Sequence, residues 1–134
     1  MTELRTKWLV YTVGIGLLPI FLRLLLNSWG AKITLLSASD FVAFGFVLHI
    51  SILNEIEYIN GQKAWKTFQN GLSILGIFVY GAFSCALMLH EAGTVGVDFK
   101  SLLNTAIISA IISFLLSLTV FFRPNTVNGE YVCP

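Results

Sequence analysis

Four apolar runs, at residues 8–26, 41–58, 72–89 and 102–122, occupy most of this 134-residue chain and constrain it more than any other feature. About 20 mostly apolar residues are needed for a helix to cross a hydrocarbon core of roughly 30 Å, and each run approaches or meets that length. The expected fold is therefore all-α: a polytopic membrane protein whose four transmembrane helices form one bundle. No stretch between the runs is long enough for a soluble catalytic domain. Function must reside in polar residues within the bilayer, in helix packing, or in the short connections.

Charged residues make up 11% of the chain and hydrophobic residues 56%, with a mean hydropathy of +0.82, against roughly 25% and 45–50% in soluble domains. A net charge of +1 with scattered basic residues excludes direct nucleic-acid binding as an expectation. Cys85 and Cys133 lie far apart along the topology and are read as reduced thiols. Arg5 and Lys7 ahead of the first run suggest a secretory signal, but the run exceeds a signal h-region of about 7–15 residues and contains Pro19 and Arg23. It is read as a retained helix.

Arg5, Lys7, Lys63, Lys66 and Arg123 fall on one side of the expected topology, and Arg23, Lys32 and Lys100 on the other. Because Lys and Arg accumulate on the cytoplasmic side, both termini are expected inside, with a cytoplasmic loop at 59–71 and a cytoplasmic tail at 123–134. Trp8, Tyr58 and Trp65 near one interface and Trp29 near the other fit the aromatic belts of a bilayer. Arg23 is expected to extend to the outer headgroups. Pro19 is expected to kink the first helix.

Two readings of Asp40 differ in where the second helix starts. A start at Ile33 would sink the carboxylate into lipid at about 2.5–3.5 kcal/mol. A cap formed by residues 37–40 would instead place it at the interface against the positive helix end, and this reading is preferred. The span then begins at Phe41, and His49 falls near the midplane, about 12 Å along the axis. With Gly45 one turn earlier, His49 is expected to face the bundle. It serves either as a neutral imidazole bonded to a Ser or Thr of another helix, or as a proton-sensitive or ion-path residue.

Thr105, Ser109, Ser113 and Ser117 recur every four residues in the fourth run, with Ala106 and Ala110 beside them. Each step turns about 40° around an ideal helix, so the stripe drifts slowly and can form either a packing seam or a water-lined path. Gly76, Gly81, Ser84 and Cys85 give the third helix small residues for close packing, and Gly14 is a weaker instance in the first.

His90, Glu91 and Asp98 are the one cluster with metal-ligand chemistry. Asp98 or Ser101 serves equally well as the N-cap of the fourth helix, so no metal is expected. No nucleophile–base motif, phosphate-binding loop, HExxH or CxxC occurs, so neither enzymatic activity nor a cofactor is expected. Residues 54–70 combine Glu55, Glu57, Lys63 and Lys66 with Trp65 and Phe68, a handle for a soluble cytoplasmic partner. The alternative is a membrane-surface turn broken at Gly61.

In size and layout the chain resembles the small four-helix membrane subunits of bacterial phage-defence systems, of the Kiwa membrane subunit or Rex exclusion membrane protein type. That resemblance implies an inner-membrane homo-oligomer that responds to infection by changing permeability or by controlling a soluble protein. The residues themselves favour a homo-oligomeric inner-membrane subunit that transmits a membrane event to a cytoplasmic partner. A small ion or proton channel built around the fourth helix and His49 is the alternative.

Overall fold

A computed structural model describes residues 7, 9–58, 63–93, 96–122, 126–127 and 130–131. Arg5, Trp8, Gly61, Arg123 and Cys133, each with an expected role above, lie outside the described residues, as does the Tyr58 side chain. A π-helical turn, Leu9–Val13, leads into α1, Gly14–Ser28. There follow α2, Ala38–Tyr58; α3, Lys63–Glu91; α4, Phe99–Phe121; and a short antiparallel pair, β1 (Thr126–Val127) with β2 (Glu130–Tyr131). Four helical segments are long and apolar enough to cross a membrane, which is the make-up of a multi-pass membrane protein.

Each boundary has a local cause. α1 runs through Pro19, and the irregular turn lies before it at Leu9–Val13. Gly30, at φ +88°, ends α1 in the left-handed conformation, and Trp29 and Ala31 donate back to carbonyls of the last turn. Ser37 precedes α2 and its carbonyl accepts from the Asp40 amide, so the helix begins at Ala38 and Asp40 lies inside its first turn rather than capping it. Gly93, at φ +73°, follows α3, and Asp98 caps α4 by accepting from the Ser101 amide at 3.0 Å and its hydroxyl at 2.6 Å. Those two bonds, the side-chain one foremost, hold the Asp98 carboxyl below its ordinary range.

The expected loop at 59–71 is helical from Lys63 onward, and Gly71 lies within α3 without breaking it. At 1.5 Å per residue, the 29 residues of α3 reach roughly 43 Å, longer than a hydrocarbon core. The extra length places its first turns beyond the apolar run.

α2 is the least apolar of the four and the most enclosed. In its membrane-spanning window 44% of residues are buried, against 11%, 17% and 28% in those of α1, α3 and α4. The other helices pack around it, and α3 and α4 meet each other far less than each meets α2. Three apolar layers follow one another along α2: Ala38 and Val42 with Tyr80 and Ala106; Phe44 and Leu48 with Ala110; and Ile52 and Ile56 with Val120. The outward faces keep large apolar side chains such as Phe21, Phe78 and Ile112 exposed, which suits lipid rather than water.

Candidate intramembrane polar site

Gly45 and His49 lie one turn apart on α2, and Gly76 and Tyr80 one turn apart on α3. The two pairs interlock. A Cβ at Gly45 would overlap the Tyr80 ring, and a Cβ at Gly76 would overlap the His49 imidazole. Each helix thus sets a ring into the other's glycine notch, with ring centroids 5.7 Å apart. Phe46 and Phe83 flank Tyr80 with centroids at 5.9 Å.

Ser113 of α4 joins the two rings. Its Oγ is hydrogen-bonded to His49 Nε2 at 3.0 Å and to the Tyr80 hydroxyl at 2.9 Å. His49, Tyr80 and Ser113 are 4%, 1% and 5% exposed, so three helices meet through polar atoms in an apolar interior. A hydroxyl has one donor, so Ser113 accepts in at least one of these bonds. His49 is thus bonded to a serine of another helix. Among the described residues His49 Nδ1 has no hydrogen-bond partner. A groove of about 210 Å³ between α3 and α4 borders this contact, with Ser109, Leu75 and Ile112 among its walls.

The hydroxyl stripe of α4 does not act as a unit. Ser113 and Ser117 are buried, Ser109 lines the groove, and Thr105 is exposed with its hydroxyl donating to the Ser101 carbonyl at 2.8 Å. The cause is the 40° drift: three steps from Ser117 carry Thr105 about 120° away from the buried line. That line runs instead through Leu102, Ala106, Ala110, Ser113, Ser117 and Val120, whose steps of three and four follow the helix's own turn and so stay on one face.

Packing expectations divide in the same way. Gly45 and Gly76 are close contacts, whereas Gly81 and Gly14 have open space at the Cβ position and Cys85 is exposed. Gly81 and Cys85 therefore form no seam within this chain, because they lie on the side of α3 away from α2. Gly16, which the sequence reading passed over, takes the ring of Phe44 at 2.7 Å from its Cβ position.

Arg23 is held by a partner within the chain. Its Nε donates to Asp40 Oδ2 at 2.7 Å and a terminal nitrogen donates to Oδ1 at 3.4 Å, tying α1 to the first turn of α2. Thr12 and Ser51 share a hydrogen bond at 3.1 Å further along, so the π-helical turn ahead of α1 is tied to α2 as well. Opposite charges near the same end of two antiparallel spans were the sequence signal for this pair.

At the Lys63 end, Glu55, Glu57, Lys63 and Phe68 are exposed. Trp65 and Lys66 are only partly so: Trp65 packs on the layer of Ile52, Ile56 and Val120, and Lys66 Nζ donates to the Glu57 carbonyl at 3.4 Å. At the other end His90 bonds through Nδ1 with the Val97 carbonyl at 3.3 Å and stacks on Phe99 at 5.3 Å, while Glu91 is exposed. Among the described residues no three metal-ligating side chains come together.

The fold and site define a bundle of helices long and apolar enough to cross a membrane, with a polar contact buried in its interior. No family model matches the chain, and no curated protein or solved structure is detectably similar to it.

Proposed function

We propose that this chain is a membrane-embedded transmitting subunit that assembles with copies of itself and passes a membrane event to a separate soluble protein on the Lys63 side. That side is taken as cytoplasmic, with both termini on it and the protein in the inner (plasma) membrane. The carrying observation is that α2 and α3 are interlocked at His49–Gly76 and Tyr80–Gly45 and continue as helices to the exposed Glu55, Glu57, Lys63 and Phe68. A displacement within the span therefore has a rigid route to the surface, since packed helices move as units rather than deform. The resemblance to phage-defence subunits adds infection as the class of stimulus.

The test is affinity recovery of the full chain from its native cells in mild detergent. A soluble protein retained by the wild type and lost with Lys63→Glu and Phe68→Ala, the oligomer persisting, supports the reading. Trp65→Ala is unsuitable because Trp65 also packs internally. Recovery unchanged by both substitutions removes these residues as the docking surface.

The channel reading keeps one supporting observation, the groove that brings Ser109 beside the His49–Ser113 contact. Absence of conductance from the reconstituted oligomer across pH 5–8, with any recovered partner present, would exclude it.

A further inference from the structure

The polarity of the α2–α3–α4 seam is one-sided. Toward the Asp98 end from the His49–Ser113–Tyr80 contact, the packing within this seam is apolar, Ala38, Val42 and Ala106 with Phe41, Phe46 and Leu103 against them, while buried Asp40 pairs with Arg23 of α1 and Ser109 lines the neighbouring groove. Toward the Lys63 end lie Gln69, Ser73 and Ser117, which are 3%, 0% and 0% exposed, and Gln69 Nε2, Ser73 Oγ and Ser117 Oγ have no hydrogen-bond partner among the described residues. His49 Nδ1 is likewise without one.

Helix rise gives their depths. Ser73 precedes Gly76, which touches His49, by about 4.5 Å, and Ser117 follows Ser113 by about 6 Å, so both lie at one level just beyond the His49 contact. Gln69 is one further turn toward the Lys63 end, and one turn beyond it Trp65 covers Ile52, Ile56 and Val120. Lipid cannot satisfy such groups, and the partner small enough to enter between packed helices is water.

We propose that this half of the seam is a water-accessible passage that enters at Trp65, runs past Gln69, Ser73 and Ser117, and ends blindly at His49. Trp65 is its stopper, and the His49–Ser113–Tyr80 contact with the apolar layer beyond it is its closed end. The ligand is water, and through it His49 exchanges protons with one face of the membrane only. Tyr80 of α3 is the titratable group packed on His49; α4 presents Ser113 and Ser109, the π-helical turn before α1 presents Thr12 to Ser51, and Glu55, Glu57, Lys63 and Lys66 edge the mouth. The passage is distinct from a conducting pore and does not depend on a soluble partner.

The test uses the full chain in liposomes, with Cys85 and Cys133 replaced by Ser and single thiols introduced as Ser73→Cys or Ser117→Cys. Ile108→Cys is the lipid-facing control and Ala106→Cys the control beyond the closed end; Lys63→Cys and Glu91→Cys mark the two faces. Silver ion, small and charged, is added from each side, and thiols it has reached are scored by their loss of later alkylation. Because the thiolate is the metal ligand and forms where water reaches, Ser73→Cys and Ser117→Cys should react from the Lys63 side at least about tenfold faster than either control. Trp65→Ala should accelerate both, and Trp65→Phe much less. Rates equal to the controls, or faster from the Glu91 side, overturn the proposal. Should Trp65→Ala fail to fold, magnetisation transfer from water to the His49 ring nitrogens in the otherwise unaltered protein decides it: transfer supports the passage, and none overturns it.

Discussion

The imidazole of His49 occupies the space that a side chain at Gly76 would fill. Because Tyr80 stands in the same relation to Gly45, one ring cannot retreat without disturbing the other's bond to Ser113. The contact is therefore a three-helix joint rather than a pair of independent packings.

Gly76→Ala should destabilise the fold by about 1–3 kcal/mol, the usual cost of overpacking. Gly81→Ala, with open space at the same atom, should be neutral or stabilising by up to about 1 kcal/mol through helix propensity. Unfolding in mixed detergent micelles measures both.

Ser113→Ala removes both hydrogen bonds while keeping the residue small. At about 0.6 kcal/mol for each bond within a membrane, the loss should be near 1 kcal/mol. Ser113→Leu should be several times worse, because the hydroxyl lies between two rings that have no room to withdraw. Comparing the two unfolding midpoints separates hydrogen bonding from bulk.

Arg23→Gln or Asp40→Asn alone leaves a charge without its partner. The pair is partly open to its surroundings, with side-chain exposures of 25% and 9%, so each single change should cost about 1–3 kcal/mol, between the surface and buried limits. Exchanging the two as Arg23→Asp with Asp40→Arg should recover part of the loss, read from a double-mutant cycle.

The Asp98 cap is pH-dependent in a defined direction. Its carboxyl is held below the ordinary carboxylate range by the Ser101 hydroxyl and amide, so it titrates lower in the folded state than in the unfolded one. The stabilisation is thus fully present above the unfolded value and is lost as pH falls through the folded one. In Asp98→Asn this acid-side loss should be absent, and hydrogen exchange in the first turn of α4 should no longer change on acidification.

Composition and run length determined the number of helices and their approximate positions, because crossing a hydrocarbon core sets a length that any sequence must meet. The inward face of His49, with Gly45 beside it, was legible from a one-turn spacing for the same reason, whereas on α3 that spacing picked out Gly81 and Cys85, which face away, and Gly76 stood only as one small residue among several. Helix geometry converts sequence offsets into faces without reference to any neighbour. Which faces meet is a different matter, since lipid is as apolar as the helix surfaces and leaves hydropathy silent about partners. The tertiary structure alone decided that Arg23 takes Asp40, that Gly81 and Cys85 face away while Gly16 is packed, that Thr105 leaves the hydroxyl stripe, and that Trp65 turns inward from a surface otherwise exposed. Each depends on the rotation and register of one helix against another, a contact between residues too distant along the chain for any local pattern to record.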